Sequence, residues 1–528
     1  MQLMKKYLHT LLTSHPGFSI FLIVYSLFGL INLAQLPIVW TDEIQHLDPV
    51  FNYLKNHHFS SKIWPNPGAE KHFLSYPPLI TNLHLLFLSI LPNTVFFIRL
   101  PFFLASVLSF VLLYRFLIQN NPGSSTSGLW LIVLLFALDK SVFEITRSMR
   151  IEPWIWLMTI AGISVIFTPK WPYRNLFLSA LAGLLTIAHL YMWPLALLWA
   201  TIALTSKKNS NTWYQSRWLQ AALFFLPCII TYTILDAPFS EVFQQLLFQS
   251  NKHGAIESNT IQYSKFLWGK FWPYYLEQPL TPWLFLLGFA IAIIHIAKYQ
   301  HPSKWILMSY LSVIIPQAFL LTPHIRYFGT HWLLTLLILV HFLPIQRLKE
   351  NTLPWIKSIL PIKKWLFLVK FCSISYLFLF CSGYLLRHAI AMYQREDRKP
   401  QIAYNFLDKH FPSTTKSEKQ IVIFGEPIVD YYAMHRSDIA FGLSHYPEHW
   451  TYNPDSTKYF VFHKAKPSQL PFLKILDSTG NSENSLPQFL QRLGRAHTYK
   501  NTYLYQIQSL TQWDSFFSKE VMEEINGK

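Results

Sequence analysis

Long apolar segments recur along most of this chain and limit the folds available to it. Many are roughly 15 to 25 residues long, close to the ~20 residues that an α-helix needs to cross a bilayer. Only 13% of the 528 residues are charged and 52% are hydrophobic, whereas a soluble domain has about 25% charged residues. The pattern predicts a polytopic α-helical membrane protein.

The charge and the cysteines exclude several other classes. The net charge is +17, but the basic residues are spread over loops and form no basic stripe. Cytoplasmic loops of membrane proteins are enriched in Lys and Arg, so no nucleic-acid partner is expected. Cys228, Cys372 and Cys381 all lie inside apolar segments and carry no metal-site or redox spacing. We expect no cofactor and no metal site, and a divalent cation between acids and a phosphate stays open as an alternative.

The basic residues also orient the chain. Lys5 and Lys6 precede the first apolar run, so its far end should face the outside. The run from Leu79 to Leu91 is short for a span and contains Asn82 and His84, so we predict a helix along the interface. With that assignment the inner loops are all basic, and the chain has about eleven spans, N-terminus inside and C-terminus outside. The predicted spans are 17–39, 99–118, 127–139, 153–167, 175–188, 191–204, 218–235, 281–296, 305–321, 328–343 and 365–386.

Composition divides the chain at about residue 387. Residues 1–387 form the predicted membrane part, with external regions at 40–98, 140–152 and 236–280. Residues 388–528 are richer in charged and turn residues and predict a small extracytoplasmic α/β domain. Its expected elements are a helix at 401–410, strands at 420–424, 458–462 and 502–508, and a closing helix at 510–525.

Two adjacent acids, Asp42 and Glu43, directly follow the first apolar run. An acid at the bilayer centre costs ~2.5–3.5 kcal/mol, so acids near a span usually face water, a cation or a substrate. The alternative is that both begin a solvated loop or cap a helix over 44–55. A carboxylate can act as the base for a hydroxyl or amine nucleophile. On a helix, only one of two neighbours would point into such a site.

Further polar residues map to the same predicted side of the membrane. Arg147 and Arg150 are three residues apart, so on a helix they would share a face and could bind one anion such as a phosphate. The alternative is that both only extend to the membrane interface. A single interfacial histidine is more often packed than a ligand. The remaining candidates at external positions are Arg99, Arg326, Glu152, His46, His189, His253 and His324.

The order of these elements resembles the GT-C glycosyltransferases, and within them the protein O-mannosyltransferases and the bacterial aminoarabinose transferase that acts on lipid A. The resemblance covers the chain up to about Glu152; beyond it only the topology and the external C-terminal domain agree. The matching elements are Asp42-Glu43, Tyr76-Pro77-Pro78-Leu79, Arg99-Leu100-Pro101 and Arg147 to Glu152.

The resemblance implies transfer of a sugar from a polyprenyl-phosphate carrier to a lipid, protein or glycan acceptor, with inversion, at the outer face of a bacterial inner membrane. It implies that Asp42 is the catalytic base and that Glu152 is a later acid, where relatives often have Asp. The family has His or Lys at the position of Tyr76, and Lys71 or His72 could replace that phosphate contact. Arginines would bind the donor phosphate.

Two hypotheses from other classes remain. The same charges could line the path of a multispan transporter or lipid-carrier flippase without covalent chemistry. Transporters often show inverted repeats and broken helices near the midplane, whereas here no repeat is visible and the charges lie at span ends. A noncatalytic membrane scaffold whose external domain binds a partner is the other alternative.

Overall fold

Most of the residues that the structure describes are helical. The computed structural model describes 15–34, 37, 41–61, 72–73, 78–120, 126–205, 216–235, 303–319 and 328–342, with helical pieces within 240–244, 288–293, 375–389 and 405–409 and five strands between 421 and 507. The main helices are α1 (Pro16–Leu30), α2 (Thr41–Asn56), α3 (Leu79–Leu88), α4 (Val95–Asn120), α5 (Thr126–Ala137), α6 (Lys140–Thr146), α7 (Glu152–Ile166), α8 (Arg174–Ala188), α9 (Trp193–Thr205), α10 (Arg217–Leu235), α11 (Ser303–Phe319) and α12 (Phe328–Phe342), with a 3-10 turn at Leu190–Met192.

One helix among the described residues, α4, is both long and apolar enough to cross a membrane by length and composition. It has 26 residues, whereas the apolar segments found in the other described helices are 10–17 residues long. Helices occur at the predicted spans except 281–296 and 365–386, which lie mostly outside the described residues. The helical character is therefore confirmed, whereas the eleven spans stay a prediction.

Helix α3 corresponds to the short apolar run for which we predict an interfacial helix. It has 10 residues and is about 15 Å long at 1.5 Å per residue, half of the ~30 Å hydrocarbon core. It contacts α2, α4 and α8, and the Asn82 amide donates to Thr231 Oγ1 of α10 at 3.0 Å. The helix is too short to cross the hydrocarbon core alone, and its position along the interface stays a prediction.

The start of α2 differs from the sequence prediction. Asp48 and Pro49 suggest an N-cap followed by the first helical residue, but α2 runs without a break from Thr41 to Asn56 with Pro49 inside it. Because the helix already begins at Thr41, Asp42 and Glu43 occupy its first turn, where acids interact favourably with the helix dipole. The predicted cap at Asp48 is wrong.

Close backbone contacts and aromatic packing hold the helices together. A Cβ on Gly183 of α8 would overlap the backbone carbonyl of Phe224 in α10, so glycine permits that approach. The phenol ring of Tyr25 in α1 meets the ring of Phe110 in α4 at 5.2 Å and the ring of Phe143 in α6 at 5.5 Å, both edge to face. These edge-to-face contacts are favourable aromatic geometry.

Beside a large buried apolar core, several charged side chains are buried and several apolar side chains are exposed. Buried charged or acidic residues include Glu43, Asp48, Arg99, Arg147, Arg150 and Glu152. Exposed apolar residues form stripes at helical spacing: Ile20, Ile23 and Leu27 on α1, and Trp218, Phe225 and Ile229 on α10. Soluble proteins rarely bury charges and rarely expose contiguous apolar surface.

A five-stranded sheet lies between residues 421 and 507. Its strands are β1 (Ile421–Phe424), β2 (Ile439–Gly442), β3 (Phe460–His463), β4 (Leu473–Ser478) and β5 (Tyr503–Ile507). The order is β2-β1-β3-β5-β4, with β1 parallel to β2 and β3, and β5 antiparallel to β3 and β4. The register shifts between Ile475 and Asp477.

Three strands occur where the sequence predicts them, since β1, β3 and β5 overlap 420–424, 458–462 and 502–508. Strands β2 and β4 are additional. Residues 405, 408 and 409 are helical within the predicted helix at 401–410, and the closing helix at 510–525 lies outside the described residues. That residues 388–528 form an independent domain stays a prediction.

Candidate functional site

Three segments that are far apart in the sequence meet around the carboxylate of Glu43. Glu43 lies in the first turn of α2, Arg99 in the second turn of α4, and residues 147–151 link α6 to α7. The Glu43 side chain has no exposed surface. Glu43 and the backbone of the segment that carries Arg147 and Arg150 therefore belong to one cluster.

Arg99 binds both oxygens of this carboxylate. Its Nε donates to Glu43 Oε1 at 3.2 Å and its Nη2 to Oε2 at 2.8 Å. The backbone N–H of Met149 also donates to Oε1, at 2.6 Å. A buried carboxylate needs such partners, because desolvation of a charge is costly unless the charge is paired and hydrogen-bonded.

The remaining hydrogen bonds of Arg99 go to the backbone between α1 and α2. Its Nη1 donates to the carbonyl oxygens of Leu33 at 2.9 Å and Pro37 at 2.7 Å. Arg99 thus makes four hydrogen bonds to protein acceptors out of the five N–H groups of a guanidinium. The geometry favours a structural role for Arg99 over direct binding of a donor phosphate.

Arg147 binds the end of α1 rather than sharing a helix face with Arg150. Its Nε donates to the Gly29 carbonyl at 3.1 Å and its Nη2 to the Ile31 carbonyl at 2.6 Å. The predicted shared face is wrong, because α6 ends at Thr146 and the next helix begins at Glu152. A cation over the last carbonyls of a helix complements their partial negative charge.

Arg150 and Glu152 form a second buried pair beside the first. Arg150 Nη2 lies 3.4 Å from Glu152 Oε1, and both side chains are almost completely buried. Glu152 is in the first turn of α7. Its other oxygen, Oε2, has no hydrogen-bond partner among the described residues. That oxygen is therefore an acceptor that a substrate hydroxyl or amine could use.

The described histidines have different surroundings. His46 is buried on α2. His189 packs against Tyr191, with ring centroids 4.5 Å apart, and its Nδ1 accepts from the Tyr191 N–H at 3.4 Å. This geometry agrees with a packed histidine. His72 lies 2.8 Å from Glu241 and so joins the two regions that we predict to be external, 40–98 and 236–280.

A hydrogen-bond network that the sequence analysis missed closes the loop after α2. Ser61 donates to Asp48 Oδ2 at 2.8 Å. Asn52 donates to the Ser60 carbonyl at 2.7 Å and lies 3.4 Å from Asp48 Oδ1. The only advance signal is an acid and an amide four residues apart on one helix face.

Several predicted site residues lie outside the described part of the chain. Lys71, Tyr76, His253, His324 and Arg326 are among them. For Asp42 the structure gives the helical backbone at the start of α2. In the part that is described, no group of three or more His, Cys, Asp or Glu side chains could hold a metal ion.

Other polar groups near the cluster were missed as site residues. Thr81 and His84 of α3 are buried, and Trp154 follows Glu152 by two residues. The available signal was the presence of two polar residues, Asn82 and His84, in the short apolar run that forms α3. Their surroundings become clear only from the packing of α3 on α4 and α7.

The arrangement involves two acids and three arginines on three segments, the first and last of which are 106 residues apart in the sequence. Glu43, Arg99 and Arg147 are engaged in contacts that fix the backbone. Arg150 and Glu152 present a guanidinium and a carboxylate, which can bind an anion and a hydroxyl respectively. No protein-family model matches the sequence, and the comparison with curated proteins finds no significant match.

Proposed function

We propose that this chain is a membrane glycosyltransferase. It transfers a sugar from a polyprenyl-phosphate carrier to a lipid, protein or glycan acceptor on the extracytoplasmic face of a bacterial inner membrane. The observation that carries the proposal is the hydrogen bond from the Met149 N–H to Glu43 Oε1 at 2.6 Å. It brings the acid pair to the arginine-bearing segment, as this chemistry requires.

The roles of the two adjacent acids follow from the contacts of Glu43. Its carboxylate binds Arg99 and the Met149 backbone, so it is a positioning group and cannot also take a proton from an acceptor without losing these bonds. We therefore assign the base to Asp42. A carboxylate within hydrogen-bond reach of the nucleophile is sufficient for this task.

The reaction is a displacement at the anomeric carbon of the sugar. The acceptor oxygen or nitrogen forms the new bond while the bond from the anomeric carbon to the phosphate oxygen breaks. The acceptor proton moves to Asp42, polyprenyl phosphate leaves, and the anomeric configuration inverts. The negative charge that develops on the phosphate needs preorganised donors. Arg150 is assigned to it, with Arg326 and Lys71 as further candidates from the sequence.

The distribution of side chains supports a membrane location. Charged groups are buried and the apolar stripes on α1 and α10 are exposed, as expected for helices that face lipid. The contact between His72 and Glu241 and that between Glu43 and Met149 each join two predicted external regions. We keep about eleven spans with the N-terminus inside, and residues 388–528 as an extracytoplasmic α/β domain.

The test compares membranes from cells that lack the protein with membranes from cells that carry full-length variants. Mass spectrometry should find one glycan modification lost without the protein and restored by the wild type. Asp42→Asn should not restore it, because an amide cannot accept the proton. Its amount in the membrane should equal that of the wild type.

Asp139→Asn is the matched control. Asp139 Oδ1 accepts from the Val142 N–H at 3.2 Å, and Asn provides the same acceptor at a helix start. This variant should restore the modification fully. If Asp42→Asn restores it as well, Asp42 is not the base. If wild-type protein moves a lipid across sealed vesicles and forms no covalent product, the chain is a transporter.

A further inference from the structure

A group of buried polar atoms lies on one face of α3. His84 has no exposed surface, and neither of its ring nitrogens has a hydrogen-bond partner among the described residues. The same holds for the hydroxyl of Thr81, which is three residues away and so on the same helix face. Buried polar atoms are nearly always paired in native proteins, by protein groups, water or a ligand.

A chain of aromatic ring contacts begins at His84. The centroid of the His84 ring lies 5.0 Å from that of Phe102 in α4. The Phe102 ring in turn lies 6.5 Å from the ring of Phe87 in α3. Phe87 also stacks on Trp154 of α7, with centroids 6.1 Å apart. The indole Nε1 of Trp154 is a further buried donor without a partner among the described residues. We call Thr81, His84, Phe87, Phe102 and Trp154 the α3 cluster.

Two helices carry residues of both the α3 cluster and the candidate site. On α4, Phe102 follows Arg99 by three residues, close to one helical turn, so the two lie on the same face of the helix. On α7, Trp154 and Glu152 both lie in the first turn. Helices α4 and α7 therefore each supply an aromatic ring to the α3 cluster and a charged residue to the candidate site.

The chemistry of the α3 cluster suits a neutral partner. Burial lowers the pKa of His84 to about 3, so the imidazole is neutral near pH 7 and offers one donor and one acceptor. Trp154 adds a donor, and Thr81 adds a hydroxyl that can do both. Small-molecule sites typically combine aromatic walls with a few converging polar groups. A hydroxyl fits here, because it donates and accepts, whereas a phosphate would find no positive charge.

We infer that the α3 cluster is a subsite for the hydroxyl groups of a neutral sugar ring, with the aromatic rings against the apolar face of that ring. The inference rests on the proposed function and deepens it, since it assigns the sugar of the donor to α3 and the phosphate to the arginine segment. It also predicts that the transferred sugar carries no charge where it meets α3.

The test measures sugar transfer by full-length variants in membranes of cells that lack the wild-type protein. The probe is the donor lipid extracted from membranes without the protein, where it accumulates unused. His84→Phe keeps the ring shape and removes both nitrogens. It should raise the KM for the donor roughly tenfold and leave kcat within about twofold, as loss of uniform binding does. Thr81→Val should raise KM by about threefold.

Two further variants separate binding from packing. His84→Gln keeps one donor and one acceptor and should recover part of the KM. Thr201→Val is the control, since Thr201 is exposed on α9 and its hydroxyl donates to the Leu197 carbonyl at 2.8 Å. It should leave KM unchanged.

An unchanged KM in His84→Phe and Thr81→Val overturns the subsite and leaves the proposed function intact. If these variants also melt at a higher temperature than the wild type, the α3 cluster is part of the packed core. If His84→Phe fails to reach the membrane, Thr81→Val and His84→Gln decide by the same criterion. If the wild type transfers no sugar, the proposed function and the subsite both fail.

Discussion

Arg99 holds both carboxylate oxygens of Glu43, at 2.8 and 3.2 Å, and neither side chain has any exposed surface. The pair joins the first turn of α2 to α4, and the Met149 N–H attaches the segment before α7 to the same carboxylate. Removing one partner of a buried ion pair leaves an uncompensated buried charge, which strongly destabilises the folded protein. Removing both leaves no such charge.

The first prediction concerns this pair. Glu43→Gln and Arg99→Met should each lower the free energy of unfolding by about 3–5 kcal/mol. The double variant should be less destabilised than the sum of the two by at least about 1 kcal/mol, because its second change removes the orphaned charge. Thermal unfolding of the four proteins in detergent measures this coupling. Additive effects would show that the two side chains act independently.

The second prediction separates two neighbouring arginines. Arg147→Lys should lower the free energy of unfolding by about 1–3 kcal/mol, because a lysine ammonium lacks the planar guanidinium geometry that donates to the Gly29 and Ile31 carbonyls at once. Its transfer rate per folded molecule should stay near that of the wild type. Arg150→Lys should also lose some stability, because Arg150 is paired with the buried Glu152, but per folded molecule it should show a higher KM for the donor, because a bidentate phosphate contact is lost. If Arg147→Lys raised the KM for the donor and Arg150→Lys did not, Arg147 would be the phosphate-binding residue and Arg150 the structural one.

The third prediction uses glycine. Gly183→Ala should destabilise by about 1–3 kcal/mol or more, because its Cβ would overlap the Phe224 carbonyl and lie 3.0 Å from that of Leu223. Backbone atoms cannot move aside as a flexible side chain can. Gly383→Ala is the control, because a Cβ there meets nothing within 4 Å. The higher helix propensity of alanine should therefore raise the free energy of unfolding by about 0.5–1 kcal/mol. Equal effects of the two changes would contradict close packing of α8 on α10.

The fourth prediction is a pH dependence. Burial lowers the pKa of His84 to about 3, against about 6.5 in an unfolded chain. Between these values the unfolded state binds the proton and the folded state does not, so stability falls by about 1.4 kcal/mol per pH unit as the pH drops. The wild type should lose this stability below about pH 6.5 relative to His84→Phe.

Thermal unfolding at neutral and mildly acidic pH measures the difference. Thr81→Val changes the same helix face without removing a titratable group, so it should keep the wild-type response. A parallel response of wild type and His84→Phe would mean that folding does not lower the pKa of His84.

The regular elements were largely predictable because their signals are local. Apolar runs locate the helices, short runs rich in β-branched and aromatic residues locate β1 and β3, and alternation locates β5. Strands β2 and β4 were missed, since four- and six-residue segments depend on pairing with distant strands more than on their own pattern. The helix start at Thr41 was obscured by Pro49, which is usually found at a helix beginning but lies inside α2.

The meeting of acids and arginines was predictable, but their partners were not. Glu43 binds a residue 56 positions away and a backbone amide 106 positions away, and no local pattern specifies either contact. The assumption of a helix through Arg147 and Arg150 failed because the chain leaves helical geometry between Thr146 and Glu152. His84 stood out as a polar residue in an apolar run, yet its aromatic surroundings required the packed structure.

The hydrogen bond between Met149 and Glu43 also has a consequence for biosynthesis. The two residues are 106 positions apart, and ribosomes add ~5–20 residues per second. Glu43 therefore leaves the ribosome roughly 5 to 20 seconds before its last partner is made. For the first 56 residues of that interval neither partner has been made, and for the rest Arg99 is the only one of these partners present, so defects in this pair should first reduce the yield of newly made protein.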